Sequence, residues 1–94
     1  MHFDWDDGNT TKCAKHGLTR VEIESVFHLD PDVSPDPLHS AHENRFVAIG
    51  HNMAGRHVFV SFCLRDGKVR PISARYMHAK EVRSYENRPG DDDR

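Results

Sequence analysis

Prolines at positions 31, 35 and 37 split this chain into two halves that must fold by different rules. Each proline fixes φ, lacks a backbone N–H and pushes the preceding residue toward extended backbone, so neither a helix nor a central strand can run through the segment. The sequence therefore predicts an extended loop from Asp30 that continues through Leu38, His39 and Ser40 to about Asn44.

Ahead of the prolines the pattern is helical. Phe3 and Trp5 alternate in a short segment that reads as a brief strand or an anchor, and residues 9–15 suit a short helix ended by Gly17. Thr19 and Glu22 form a capping box, in which hydroxyl and carboxylate each satisfy an orphan backbone donor. Leu18 before the cap and Ile23 after it make the matching hydrophobic staple. Ile23, Val26 and Phe27 then share one face, so a second helix is predicted to end near His28.

Beyond the prolines the pattern turns β. Residues 45–50 and 57–64 read as two strands joined by a hairpin over 52–55. Asp66-Gly67 suits a tight second hairpin, and residues 69–74 form a third strand that Pro71 restricts to a sheet edge. Ala79, Val82 and Tyr85 mark an amphipathic C-terminal helix. The expectation is an α+β fold: an antiparallel three-stranded meander with two N-terminal helices and one C-terminal helix. One domain over residues 1–88 and a frayed tail over 89–94 complete it.

Charge sharpens the division. The formal charge is −2, but residues 1–44 carry nine acids against three bases, and residues 45–88 carry nine bases against three acids. A +6 segment beside a −6 segment suggests that one half meets a polyanion or an acidic partner. No run approaches the length of a membrane span and no apolar stretch follows the N-terminus, so a cytoplasmic domain without membrane contact is expected.

The eight histidines raise metal binding first. His39 and His42 stand at i, i+3, and Cys13 with Cys63 could complete a tetrahedral set. However, both histidines lie in the expected loop and neither cysteine belongs to a CxxC pair, so no metal site is assigned and the cysteines are read as small buried residues. No nucleophile elbow, Walker loop or GxGxxG supports a serine triad or a nucleotide cofactor, and none is assigned. The meander sorts its charges by end. Arg45, Arg65, Lys68 and Arg70 gather at one end, and His51, Arg56, His57 and Arg75 at the other, near Tyr76. Either cluster can fork onto phosphate oxygens, with Phe59, Tyr76 and Tyr85 as stacking surfaces; a solvated sheet rim is the plainer alternative.

Several elements occur together in an order that resembles the BrnT-type toxins. They are Phe3-Asp4-Trp5-Asp6, Lys12-Cys13-Ala14-Lys15-His16-Gly17, the capping-box helix, Asp36-Pro37-Leu38-His39-Ser40, Glu43-Asn44-Arg45-Phe46-Val47-Ala48-Ile49-Gly50 and Arg70-Pro71-Ile72-Ser73-Ala74-Arg75-Tyr76-Met77. The resemblance covers about residues 3–86 and implies a RelE-like fold. It also implies a type II toxin–antitoxin system, with a metal-independent ribonuclease that stops translation. A BrnA-like antitoxin would neutralise it and carry the contact with operator DNA.

Metal-free RNA cleavage needs a base for the 2′-hydroxyl, cations for the phosphorane charge and an acid for the leaving oxygen. His16 is the leading acid/base candidate, because imidazole titrates near neutrality and Gly17 leaves it at an open helix end. Glu43 is the second candidate base. Arg75, with Tyr76 beside it, is the favoured phosphate ligand, while Lys15, Arg45, Arg56 and Arg70 are expected to bind RNA. Strand geometry puts Arg45 and Arg75 about 20 Å apart, so they should not share one phosphate. A binding module of the same fold without cleavage is the alternative.

Overall fold

The computed structural model describes residues 1–87. In chain order it has α1 (Asp7–Ala14), α2 (Arg20–His28), β1 (Asp32–Pro35), a 3-10 turn (Pro37–His39), β2 (Phe46–His51), β3 (His57–Arg65), β4 (Lys68–Tyr76) and α3 (Ala79–Glu86). The strands lie in the order β1-β2-β3-β4, every neighbouring pair antiparallel. The expected tail over 89–94 lies outside the described residues.

Local chemistry accounts for the helices. Both bonds of the Thr19–Glu22 capping box form, and α2 buries Ile23, Val26 and Phe27. α1 starts two residues before its expected position because Asp6 makes a second capping box with Asn9. Here the amide oxygen of an asparagine makes the reciprocal bond that the Glu22 carboxylate makes in the Thr19 box. Gly17, with φ 86°, closes the turn after α1.

The proline segment corrects the predicted loop. Asp32–Pro35 is a fourth strand, paired with residues 46–49 of β2, so the sheet has four strands rather than three. An edge strand bonds on one side only, and with Pro31 before it and Pro35 at its last position the intervening N–H groups remain available. Prolines therefore excluded a central strand here without excluding a rim strand. Gly50 makes room at this crossing, since a Cβ there would lie 3.2 Å from the Pro31 ring.

Pro71 takes the predicted edge position in β4, opposite an irregularity at Ser61/Phe62 of β3. Asp66 and Gly67 turn the β3–β4 hairpin with φ of 54° and 77°. The outer edge of β4 is capped by the N-terminal segment, through Val69 N–H to the His2 carbonyl at 2.9 Å and Asp4 N–H to the Val69 carbonyl at 2.9 Å. Phe3 makes a single parallel bridge there, so the expected first strand is one rung long.

On the sheet's inner face Ala48, Val58, Val60, Phe62 and Ala74 pack with Cys13, Leu18, Ile23, Val26 and Phe27. Phe3, Phe27, Phe62 and Phe46 continue this core as a chain of aromatic contacts. α3 contributes no buried residue and crosses the opposite face.

Asn9 is one of two buried polar side chains among the described residues. Its amide donates to the carbonyls of Asp4 at 3.0 Å and Pro71 at 2.8 Å, while its oxygen accepts from Asp6 N–H at 2.8 Å. Removing them strands buried carbonyls, which costs about 1–3 kcal/mol for each group left unsatisfied. Asn9→Ala is expected to lower the unfolding free energy by about 3 kcal/mol in urea titration. A loss below about 0.5 kcal/mol would mean that solvent replaces these bonds.

Candidate nucleic-acid interface

The pairing register assigns side chains to the sheet's outer face. Ile49, Phe59 and Arg75 stand in one row, and Val47, Ser61 and Ser73 in the next. Anchored along β4 by Asn9, α1 and the turn after it send Lys12 and His16, four residues apart, to the same face. Lys12 borders a cleft with Ile72 and Ser73, while His16 borders one with Ala74 and Arg75.

At one pole His16, Arg56, Arg75, Tyr76, Met77 and His78 surround a cavity of about 330 Å³. Four of the predicted site residues are thus brought together. The Arg56 guanidinium lies 3.6 Å from the Tyr76 ring centre, and the Tyr76 hydroxyl donates to Glu22 at 3.3 Å. Arg75 stacks over Phe59 at 4.9 Å and donates through both terminal nitrogens to Glu81, at 2.8 and 2.9 Å. The same carboxylate accepts from His78 N–H at the start of α3. The Arg75 hydrogen bond, followed by the His78 backbone bond, pulls the Glu81 pKa down to about 2. α3 thus presents a carboxylate to the guanidinium expected to hold phosphate.

At the other pole Lys12, Asp36, His39 and Arg45 line a cleft of about 290 Å³ whose floor includes Phe59, Ser61, Ile72 and Ser73. Phe59 and Ser73 also border the small cavity beside His16 and Arg75, so the two poles adjoin. The register places Arg45 and Arg75 roughly 16 Å apart at their Cα atoms, from strand rise and two strand spacings. That is shorter than the expected separation, and still too far for one phosphate between the two backbones.

The remaining predicted residues stand elsewhere. Glu43 pairs with Arg65 at 3.2 Å and with Arg45 at 3.5 Å, and the Arg65 hydrogen bond keeps its carboxyl below the ordinary range. A carboxylate held in this way is a poor proton acceptor near neutrality. Arg70 pairs with Asp6 at 3.0 Å and Asp4 at 3.4 Å, with only 13% of its side chain exposed, so it braces the N-terminal segment against β4. Lys15 stands exposed at the C-terminal cap of α1.

Sequence reasoning passed over two features. His39 was weighed only as a metal ligand, yet its Nδ1 lies 2.8 Å from an oxygen of Asp36. An Asp-Pro-x-His spacing in a proline-fixed turn was the available signal. Glu81 carried none, because its partner lies across a turn whose geometry the sequence leaves open. The cysteines are in the core, and burial raises the Cys13 thiol to about 11. Among the described residues no three ligating side chains converge on one point.

The outer sheet face and the pole beside Tyr76 thus carry guanidinium, imidazole and aromatic groups on a small α+β domain. Residues 5–81 match the model of the family described as ribonuclease toxin, BrnT, of type II toxin–antitoxin systems, and the chain belongs to that family. No curated protein matches it. Among the described residues no helix is long and apolar enough to cross a membrane.

The Glu81 clamp has a pH signature. Its folded pKa is depressed, so its contribution to holding α3 is present above the ordinary carboxyl pKa and is lost as pH falls through it toward about 2. NMR shifts of the Ser84 and Tyr85 amides are expected to step in the window between about 4.5 and 2, and Glu81→Gln should remove that step. An unchanged step in the variant would assign it to another carboxyl.

Proposed function

We propose that this toxin cuts RNA without a metal, stops translation by doing so, and is neutralised by a BrnA-like antitoxin through which alone it reaches operator DNA. One observation carries the reading beyond family membership: His16, Arg56, Arg75 and Tyr76 border a single cavity. Arg75 has the fork to bind two oxygens of one phosphate, once that phosphate takes the place of Glu81. Arg56 adds a second cation, and its stacking on Tyr76 limits its freedom before RNA arrives. His16 supplies a proton-transferring imidazole beside them.

Lys15 and Arg45 would guide flanking RNA, whereas Arg70 and Glu43 act through the ion pairs that brace the sheet. The antitoxin would cover the basic outer face with acidic and apolar groups of its own. The alternative, a binding module without cleavage, draws on the Arg75–Glu81 pair, since a guanidinium already matched by a carboxylate can serve as a strut.

Incubation of the purified chain with RNA in EDTA tests the two. The wild type is expected to cleave, and a His16→Ala/Arg75→Ala double variant to lose at least about 100-fold in rate. Equal RNA loss by both proteins, or none by the wild type, would leave the binding-module reading. Co-expression of the antitoxin should abolish the growth arrest caused by the wild type.

A further inference from the structure

We propose that His39, oriented by Asp36, is the base that removes the 2′-hydroxyl proton, from a cleft in which Lys12 and Arg45 hold the RNA phosphate next to the one on Arg75. The inference rests on the RNA-cleaving reading above and adds to it a base held in place by a carboxylate. Glu43 is ill placed for that task because Arg65 and Arg45 hold it as an ion-paired carboxylate.

The dyad is built rather than incidental. Pro35 and Pro37 flank Asp36 and restrict its backbone. Asp36 N–H donates to the Arg45 carbonyl at 2.8 Å, Ser40 Oγ donates to the Asp36 carbonyl at 2.7 Å, and Arg45 N–H donates to Ser40 Oγ at 2.9 Å. These bonds close residues 36–45 on themselves and fix the aspartate beneath the imidazole. An ionised carboxylate can only accept, so Nδ1 points its hydrogen at Asp36, and in the neutral ring Nε2 is the atom left to take a proton. The His39 side chain is 69% exposed and that of Asp36 19%, the pattern of a reachable imidazole on a fixed partner. Lys12 and Arg45 supply positive charge in the same cleft, although Arg45 also pairs through Nε with Glu43 at 3.5 Å. Ser61 and Ser73, paired across the floor, add hydroxyl donors.

In the step assigned to this cleft, the 2′-hydroxyl proton passes to His39 Nε2 and the 2′-oxygen forms a bond to phosphorus. The bond from phosphorus to the 5′-oxygen breaks, and that oxygen leaves with the electron pair. It takes a proton from protonated His16 in the adjoining cavity. The products are a 2′,3′-cyclic phosphate and a 5′-hydroxyl, and no other reactant is consumed.

The test compares wild type, His39→Ala, Asp36→Asn, His16→Ala and, as control, the exposed His42→Ala, with folding checked by circular dichroism. Two RNA substrates are used, one ordinary and one with sulfur in place of the bridging 5′-oxygen, whose departure needs no acid. His39→Ala is expected to lower kcat at least about 100-fold with KM nearly unchanged, and Asp36→Asn about 10-fold. The His39→Ala defect should persist on the sulfur substrate, where His16→Ala recovers. His42→Ala should match wild type on both. A wild-type rate for His39→Ala, a loss confined to KM, or recovery on the sulfur substrate would overturn the assignment and leave the ribonuclease reading standing. Absence of cleavage by wild-type protein would overturn both.

Discussion

The Asn9 amide holds together the two parts of this molecule that differ most in character. It caps α1 at the third helical position and reaches the carbonyl of Pro71, a residue 62 positions away in sequence. Without that tie α1 would have no fixed register along β4, and neither Lys12 nor His16 would have a defined place on the outer face. Arg70 supports the same junction electrostatically through Asp4 and Asp6, but partly exposed ion pairs of this kind contribute less than satisfied buried amides. The position of the candidate chemistry therefore depends on a polar contact, while the hydrophobic core supplies most of the stability.

The prolines do more than divide the chain. By fixing the backbone on both sides of Asp36, they lower the entropy lost when a carboxylate is held against an imidazole. The same segment supplies β1 to the sheet and then closes on Arg45 through backbone and serine hydrogen bonds. An element that reads as an interruption thus completes one edge of the sheet and frames one pole of its outer face.

The opposed charges of the two halves also take on a more specific meaning. Much of the acidic half is folded against the basic one: Asp4 and Asp6 meet Arg70, and Glu43 meets Arg65 and Arg45. Within the basic half, Glu81 meets Arg75. The segment charge of +6 therefore overstates the field available to a polyanion. The outer face gains its positive character from particular groups, including Arg45 and Lys12 in one cleft, while Arg56 adds charge at the pole beside Tyr76.

By itself the sequence determined those features that depend on neighbours a few residues apart. Hydroxyl and carboxylate at a fixed offset set the start of α2, runs of β-branched and aromatic residues gave β2 and β3, Asp66-Gly67 gave their tight turn to β4, and Pro71 restricted β4 to an edge. A backbone donor orphaned at a helix start, or a positive φ in a two-residue turn, is a local demand with few chemical answers. Tertiary structure alone decided that a proline-bounded segment would pair as a fourth strand, since one-sided pairing depends on which strand lies beside it. It likewise brought Glu81 to Arg75, turned Arg70 inward as a brace, and placed His39 in one cleft with Lys12 and Arg45. Those outcomes follow from distances between residues far apart in the chain, and hydrophobic burial fixes such distances only when the whole sheet has formed.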